Sequence, residues 1–151
     1  SKTFYDTIGH RLKKSDKSLI FMKEADMKFE DLDVWKRAAA LSAEVHLELA
    51  MLKNYGFKDQ VTRSSLSIPS NIAEGIERGS DNEVIRFCTI ARGSCGELRT
   101  QIYVGMKICY IKPECGMRWI KETYEISAML SGLINHRQRT KNWIQGSENT
   151  V

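Results

Sequence analysis

No apolar run in this chain approaches the roughly 18 residues needed to span a bilayer. The longest compact one near the start is Leu19-Ile20-Phe21-Met22, also too short for the apolar region of a signal peptide, so no membrane partner is expected and the expected location is the cytoplasm. Histidine is sparse: His10, His46 and His136 are scattered, and no Ser or Cys has an evident base partner, so nothing resembles a catalytic constellation. The four cysteines, Cys88, Cys95, Cys109 and Cys115, form no C-x-x-C pair and have no nearby histidines. They read as reduced, packed thiols rather than zinc or redox ligands. Gly93-Ser94-Cys95-Gly96 lies inside a helical pattern and lacks the lysine and spacing of a phosphate loop. The expectation is a protein that is not an enzyme and holds no metal or cofactor.

A strong excess of charge is missing too. The net charge of +4 divides into six cations against four anions over residues 1–26, fifteen against fourteen over 27–138, and two against one over 139–151. The central region is nearly neutral, so any case for nucleic acid must rest on where its charges sit.

What the sequence does have is helical periodicity. With 42% hydrophobic and 28% charged residues, its 151 residues fit one soluble domain able to bury a core. Val61, Ser65, Ile68, Ile72 and Ile76 share one face of a helix expected over about 58–78, with Pro69 in its middle. Pro69 has no N–H for the carbonyl of Ser65, a defect costing roughly 3 kcal/mol unless the surroundings absorb it. Gly75 is poor for helix propensity but would let a neighbouring backbone approach.

A first helix is expected from about Asp31 to Lys53, closed by Asn54-Tyr55-Gly56 with a glycine C-cap. His46 lies at the edge of its face as a packing or hydrogen-bonding residue. Gly79-Ser80-Asp81-Asn82 makes the next break, with Ser80 or Asp81 as N-cap. The third helix, about 82–110, carries the apolar stripe Val84, Phe87, Ala91, Cys95, Leu98, Ile102 and Cys109. Its other side carries Arg92, Arg99 and Lys107 within roughly 80° of one another, with Tyr103 close by. That stripe is a candidate contact for phosphate or an acidic partner, or else a solvated face.

Pro113 suits the first position of a last helix expected to reach about Gln138. This helix has two apolar stripes, Ile120, Tyr124, Ser127 and Ile134 on one, Trp119, Ile126, Leu130 and Leu133 on the other. A four-helix monomer needs one stripe, so the second is expected to form a subunit contact unless residues 1–26 cover it. Arg63 and Arg78 on the second helix, and Arg137, Arg139 and Lys141 near Trp143, complete the candidate cations. The domain reading is an N-terminal extension over 1–26, a bundle over 27–138 and a polar tail over 139–151.

Ser67-Ile68-Pro69-Ser70-Asn71-Ile72-Ala73-Glu74-Gly75, with Arg63 before it and Ala91-Arg92-Gly93-Ser94 and Glu97-Leu98 after it, resembles a family of small bacterial four-helix-bundle proteins encoded in intervening sequences of large-subunit ribosomal RNA genes. That family includes the accessory variability proteins of diversity-generating retroelements. Phe29-Glu30-Asp31-Leu32 with Val34-Trp35 is similar to the family's usual start, so the likeness covers about 27–138. The resemblance implies an all-α, antiparallel up-down four-helix bundle. Its retroelement branch implies a basic, barrel-like homo-oligomer, a pentamer, that holds template RNA and a reverse transcriptase.

Two function classes follow. One is a scaffold associated with RNA or DNA; the other is a protein-protein interaction module without direct RNA binding. The near neutrality of the central region weighs against the first, while oligomerisation would repeat even a modest basic stripe.

Overall fold

Short connections separate four helices close to where the apolar period places them. The protein is described by a computed structural model over residues 27–148, with α1 at Asp33–Glu48, α2 at Tyr55–Glu77, α3 at Asp81–Lys107 and α4 at Pro113–Glu148. Among the described residues there is no strand. The connections of six, three and five residues are too short to run the length of a helix, so each helix reverses the one before. α2 packs on α1 and α3, α3 packs on α4, and α1 closes sparsely against α4. This is the expected all-α four-helix bundle. The extension expected over 1–26 lies outside the described residues, as do residues 149–151.

Phe29–Asp31 form a single 3-10 turn ahead of α1, and Phe29 meets Trp35 edge-on at 5.1 Å. α1 is shorter than its pattern suggests. Its last turns unwind after Glu48, and Asn54 caps the following helix instead of closing this one: its Oδ1 accepts from the Phe57 N–H at 3.0 Å. Gly56 therefore lies inside α2 and is no C-cap.

α2 runs unbroken through Pro69, which is buried. The small residues Ala39, Ser42 and Ala43 of α1 line the same groove, leaving room for the ring. Hydroxyls supply polar contacts around the interrupted turn. Ser65 Oγ donates to the Thr62 carbonyl at 2.7 Å and lies 3.1 Å from Ser42 Oγ, while Ser67 Oγ lies 2.8 Å from Ser94 Oγ on α3.

Gly75 serves the purpose its position suggests. A Cβ there would sit 2.9 Å from the Phe87 Cβ and 3.3 Å from the Val84 Cα, so α3 packs directly on the α2 backbone. Gly79 then adopts a φ of 76°, a left-handed turn that costs glycine little, and Ser80 Oγ accepts from the Glu83 N–H at 3.3 Å to start α3.

At the other end of α3 the expected apolar stripe stops early. Cys109 lies beyond Lys107 with a φ of 61° and is exposed, while Tyr110 and Ile111 donate their N–H groups to the Gly105 carbonyl at 2.8 and 3.1 Å. Buried Ile111 takes the inward place instead. Cys88, Cys95 and Cys115 are buried as expected, and burial pushes the Cys88 thiol up to about 11.

The second stripe of α4 corrects the subunit-contact expectation. Trp119, Ile126 and Leu130 are each 0% exposed within the single chain, Leu133 packs against the core, and Ile120 and Ile134 of the first stripe are buried as well. α4 is flanked by α3 and α1 at once, so a broad apolar arc belongs to one core. α4 also continues to Glu148, making residues 139–148 part of the helix instead of a separate tail.

Charges close the seam between α1 and α4. Arg37 donates to both carboxylate oxygens of Glu122, at 2.7 and 2.6 Å, and also pairs with Glu125. Arg118 pairs with Glu44, and Lys112 lies 3.8 Å from Glu48. Hydrogen bonds from Arg118 and Arg37 hold the Glu44 and Glu125 carboxyls below the usual carboxylate range.

Two measurements check this packing. Gly75→Leu should cost about 1–3 kcal/mol in urea denaturation through overpacking against Phe87, whereas Gly93→Ala, at a position with open space around it, should gain up to about 1 kcal/mol. The depressed carboxylates give stability that is fully present above their ordinary pKa of about 4.3 and lost as pH falls through the lowered values. Amide exchange, corrected for its intrinsic rate, should therefore rise in α1 relative to α3 between about pH 5 and about pH 3. A constant ratio would contradict the role given to the seam.

Candidate nucleic-acid interface

The candidate cations differ in what already holds them. Arg63 pairs with Asp59 at 3.0 Å on α2, and Arg78 pairs with Glu74 at 2.7 Å and Glu83 at 3.2 Å while lying over the Phe87 ring. Arg137 is 6% exposed and donates to Asp81 at 3.0 Å. Its expected role in binding a partner is corrected: the guanidinium is a buried link from α4 to the start of α3. Hydrogen bonds that the Arg78 guanidinium donates to Glu74 hold its pKa above the usual range, so that charge is well matched within the chain.

Arg92 and Arg99 are engaged differently. Arg92 donates to Ser131 Oγ at 3.0 Å, and Arg99 donates to Ser127 Oγ at 3.3 Å with its guanidinium 4.3 Å from the centre of the Tyr124 ring. Neutral partners fix both side chains across the α3–α4 seam without cancelling their charge. Such a cation over an aromatic ring is favourable because the ring face is electron-rich.

These interactions set the register of two antiparallel helices. Arg92, Arg99 and Tyr103 repeat at spacings of seven and four and lie within roughly 40° on α3, with Lys107 at the edge of the row. Met117, Tyr124 and Ser131 repeat at sevens on α4, with Lys121 at the edge. Arg92, Lys107 and Lys121 are exposed, Arg99 is half-buried, and Tyr103 and Tyr124 are 49% and 57% exposed. Exposed Arg139 and half-buried Lys141 lie further along α4.

Carboxylates are scarce on this face. Glu122 turns to Arg37 on the far side of α4, Glu125 pairs with Arg37 while also feeling the charge of Lys121, Asp81 holds Arg137, and Glu97 lies roughly 140° around α3 from Arg92. Glu114 lies in the first turn of α4, and Glu125 borders the row beside Lys121. The result is a band about 22 Å long, from Arg92 to Lys107, in which cations and tyrosines alternate.

Lys121, Tyr124, Ser127 and Ser131 were the missing half of this face. Counting Tyr124 and Ser127 in one apolar stripe with Ile120 and Ile134 hides this face. The signal for their separation is that Met117, Tyr124 and Ser131 fall at regular sevens, offset from buried Ile120 and Ile134. His46, at the opposite α1–α2 groove, contacts the Ser42 carbonyl through Nδ1 at 2.7 Å, in keeping with a hydrogen-bonding residue. Among the described residues no cluster of His, Cys, Asp and Glu could hold a metal, and no helix is long and apolar enough to cross a membrane.

Residues 30–132, more than half of the chain, match the family described as 23S rRNA-intervening sequence protein. The chain belongs to that family. A crystal structure of a protein with unknown function from the S23 ribosomal protein family of Bacteroides thetaiotaomicron is similar, with 22% identity, a TM-score of 0.62, and coverage of 67% of this chain and 97% of the other. That similarity supports the fold. No curated protein matches the chain. The 23S rRNA-intervening sequence match includes the Pro69 motif, Arg92, Arg99, Tyr103 and Lys107, together with Tyr124, Ser127 and Ser131 on α4. Arg137, Arg139 and Lys141 fall beyond it.

The buried placement of Arg137 makes a direct prediction. Arg137→Gln should destabilise this family member by about 3 kcal/mol, because it leaves Asp81 without its cation in a largely buried setting. Thermal denaturation would register the loss. An unchanged midpoint would show that the pair carries no weight.

Proposed function

We propose that this protein is a non-enzymatic, homo-oligomeric scaffold that binds nucleic acid, RNA foremost, by its phosphates along the α3–α4 face. The observation that supports this reading is the unequal engagement of its cations: Arg63, Arg78 and Arg137 pair with carboxylates, whereas Arg92 and Arg99 are held by serines and a tyrosine beside exposed Lys107 and Lys121. Guanidinium groups already held by neutral side chains meet a phosphate with little further ordering. The family's description as a 23S rRNA-intervening sequence protein is in keeping with an RNA setting.

The finer form of the reading is an accessory subunit presenting template RNA to the reverse transcriptase of a diversity-generating retroelement. The likeness of the Ser67–Gly75 motif is its support. Repetition of the basic band in a homo-oligomer, pentameric by the same resemblance, would multiply weak phosphate interactions into useful avidity. With Trp119, Ile126 and Leu130 inside the core, self-contact would use other apolar surface. The α1–α2 groove supplies it, lined by Trp35, Ala39, Ala43, Leu66, Pro69 and Ala73. The same groove favours the second reading, a protein-protein interaction module that binds no RNA directly.

Salt dependence separates the two readings. Arg92→Gln, Arg99→Gln and Lys107→Gln together should preserve helix content, since Gln is a good helix former. RNA affinity should fall, and the slope of log affinity against log salt should flatten by about 0.7–0.9 for each phosphate that no longer meets a cation. Equal affinity and slope before and after the change would favour the protein module.

A further inference from the structure

We propose that the α3–α4 face takes single-stranded RNA, with unstacked bases on Tyr103 and Tyr124 and the sugar-phosphate backbone along Arg92, Arg99, Lys107 and Lys121. This rests on the RNA reading above and names the form of RNA.

Phosphate attraction alone would require only the cations. The face also exposes Tyr103 and Tyr124, and both lie inside the row of cations rather than at its margin. The pairing of Arg99 with Ser127 and Tyr124 places Tyr103, four residues beyond Arg99 on α3, level with the part of α4 that carries Lys121. Rings and cations therefore alternate across both helices. A duplex gains little from such rings, because its bases are stacked on one another and the major groove of A-form RNA is too deep and narrow to admit side chains. A single strand offers free base faces, and every base has one.

The Arg99 guanidinium, 4.3 Å from the Tyr124 ring centre and held by Ser127, holds that ring in place before any ligand arrives. A base added to the stack meets a surface already ordered, which is the condition under which stacking contributes most to affinity. The band of roughly 22 Å accommodates about four to six nucleotides of one strand. Glu122, which would repel the backbone, faces Arg37 across the α1–α4 seam, and Glu125 pairs there too while also feeling the charge of Lys121 at the edge of the face. Neither ring stacking nor phosphate pairing reads a base edge, so the expected preference is for strandedness with little sequence selectivity.

The test compares the full chain binding a labelled single-stranded RNA of about twelve nucleotides with the same sequence annealed to its complement. The single strand should bind more tightly. Tyr103→Leu with Tyr124→Leu should weaken it about tenfold or more while leaving the salt slope unchanged, because no charge is removed. Tyr103→Phe with Tyr124→Phe keeps both rings and should retain the affinity, and circular dichroism would confirm that all variants remain helical. Equal binding of duplex and single strand, or an unaltered affinity in the leucine variant while the Arg92, Arg99 and Lys107 variant loses it, overturns this inference and leaves RNA binding standing. Absence of binding to either RNA by the unaltered protein overturns the RNA reading itself, and this inference with it.

Discussion

Backbone contact between α2 and α3 at Gly75 fixes the orientation on which the basic face depends. Phe87 and Val84 occupy the space a side chain would take, and the left-handed Gly79 with the Ser80 cap turns the chain immediately below. Further along, the Ser67–Ser94 and Ser64–Gln101 hydrogen bonds hold the same two helices in one register. A rotation of α3 by one residue would turn each of its side chains by roughly 100°. The row of Arg92, Arg99 and Tyr103 would then leave the seam with α4. A contact made by a residue without a side chain therefore governs which charges meet solvent together.

α1 is held by different means. Where it meets α4 the groups are charged, and Arg37, Glu44 and Glu48 on one side face Glu122, Glu125, Arg118 and Lys112 on the other. Exposed pairs of this kind stabilise only modestly and weaken as carboxylates take up protons. They also have an electrostatic consequence beyond α1. Pairing with Arg37 engages Glu122 and Glu125 away from Tyr124, Ser127 and Ser131, although Glu125 also feels the charge of Lys121. The weak seam and the basic face are two outcomes of one distribution of charge around α4.

Much of this was legible in the sequence. The position of Pro69 inside a continuous helix, the close approach at Gly75, the Ser80 cap and the row of Arg92, Arg99, Tyr103 and Lys107 all follow from local rules that need no knowledge of neighbours. Trp119 did not, because periodicity shows that a residue is apolar without showing which neighbour covers it, and a helix wedged between two others buries a wider arc than one stripe. Arg137 resembled any cation near a helix end until Asp81, 56 residues earlier, was seen to hold it. Cys109 was misplaced by a helix end set by the Gly105 carbonyl, a turn whose left-handed residue is neither glycine nor asparagine. Tyr124 was hidden for the opposite reason, since an aromatic residue spaced with isoleucines looks like core.

Net charge is a poor measure of such a molecule. Over 27–138 the cations and anions nearly cancel, yet they do not cancel in space. Electrostatic influence in physiological salt decays over about 8 Å, while neighbouring helix axes alone lie about 8–10 Å apart. A phosphate on the α3–α4 face therefore senses Arg92, Arg99, Lys107 and Lys121 more strongly than Glu44 and Glu48, which lie on α1. A neutral sum over the bundle is compatible with a locally cationic face. What decides the character of that face is which arginines already have carboxylates, and Arg92 and Arg99 have serines.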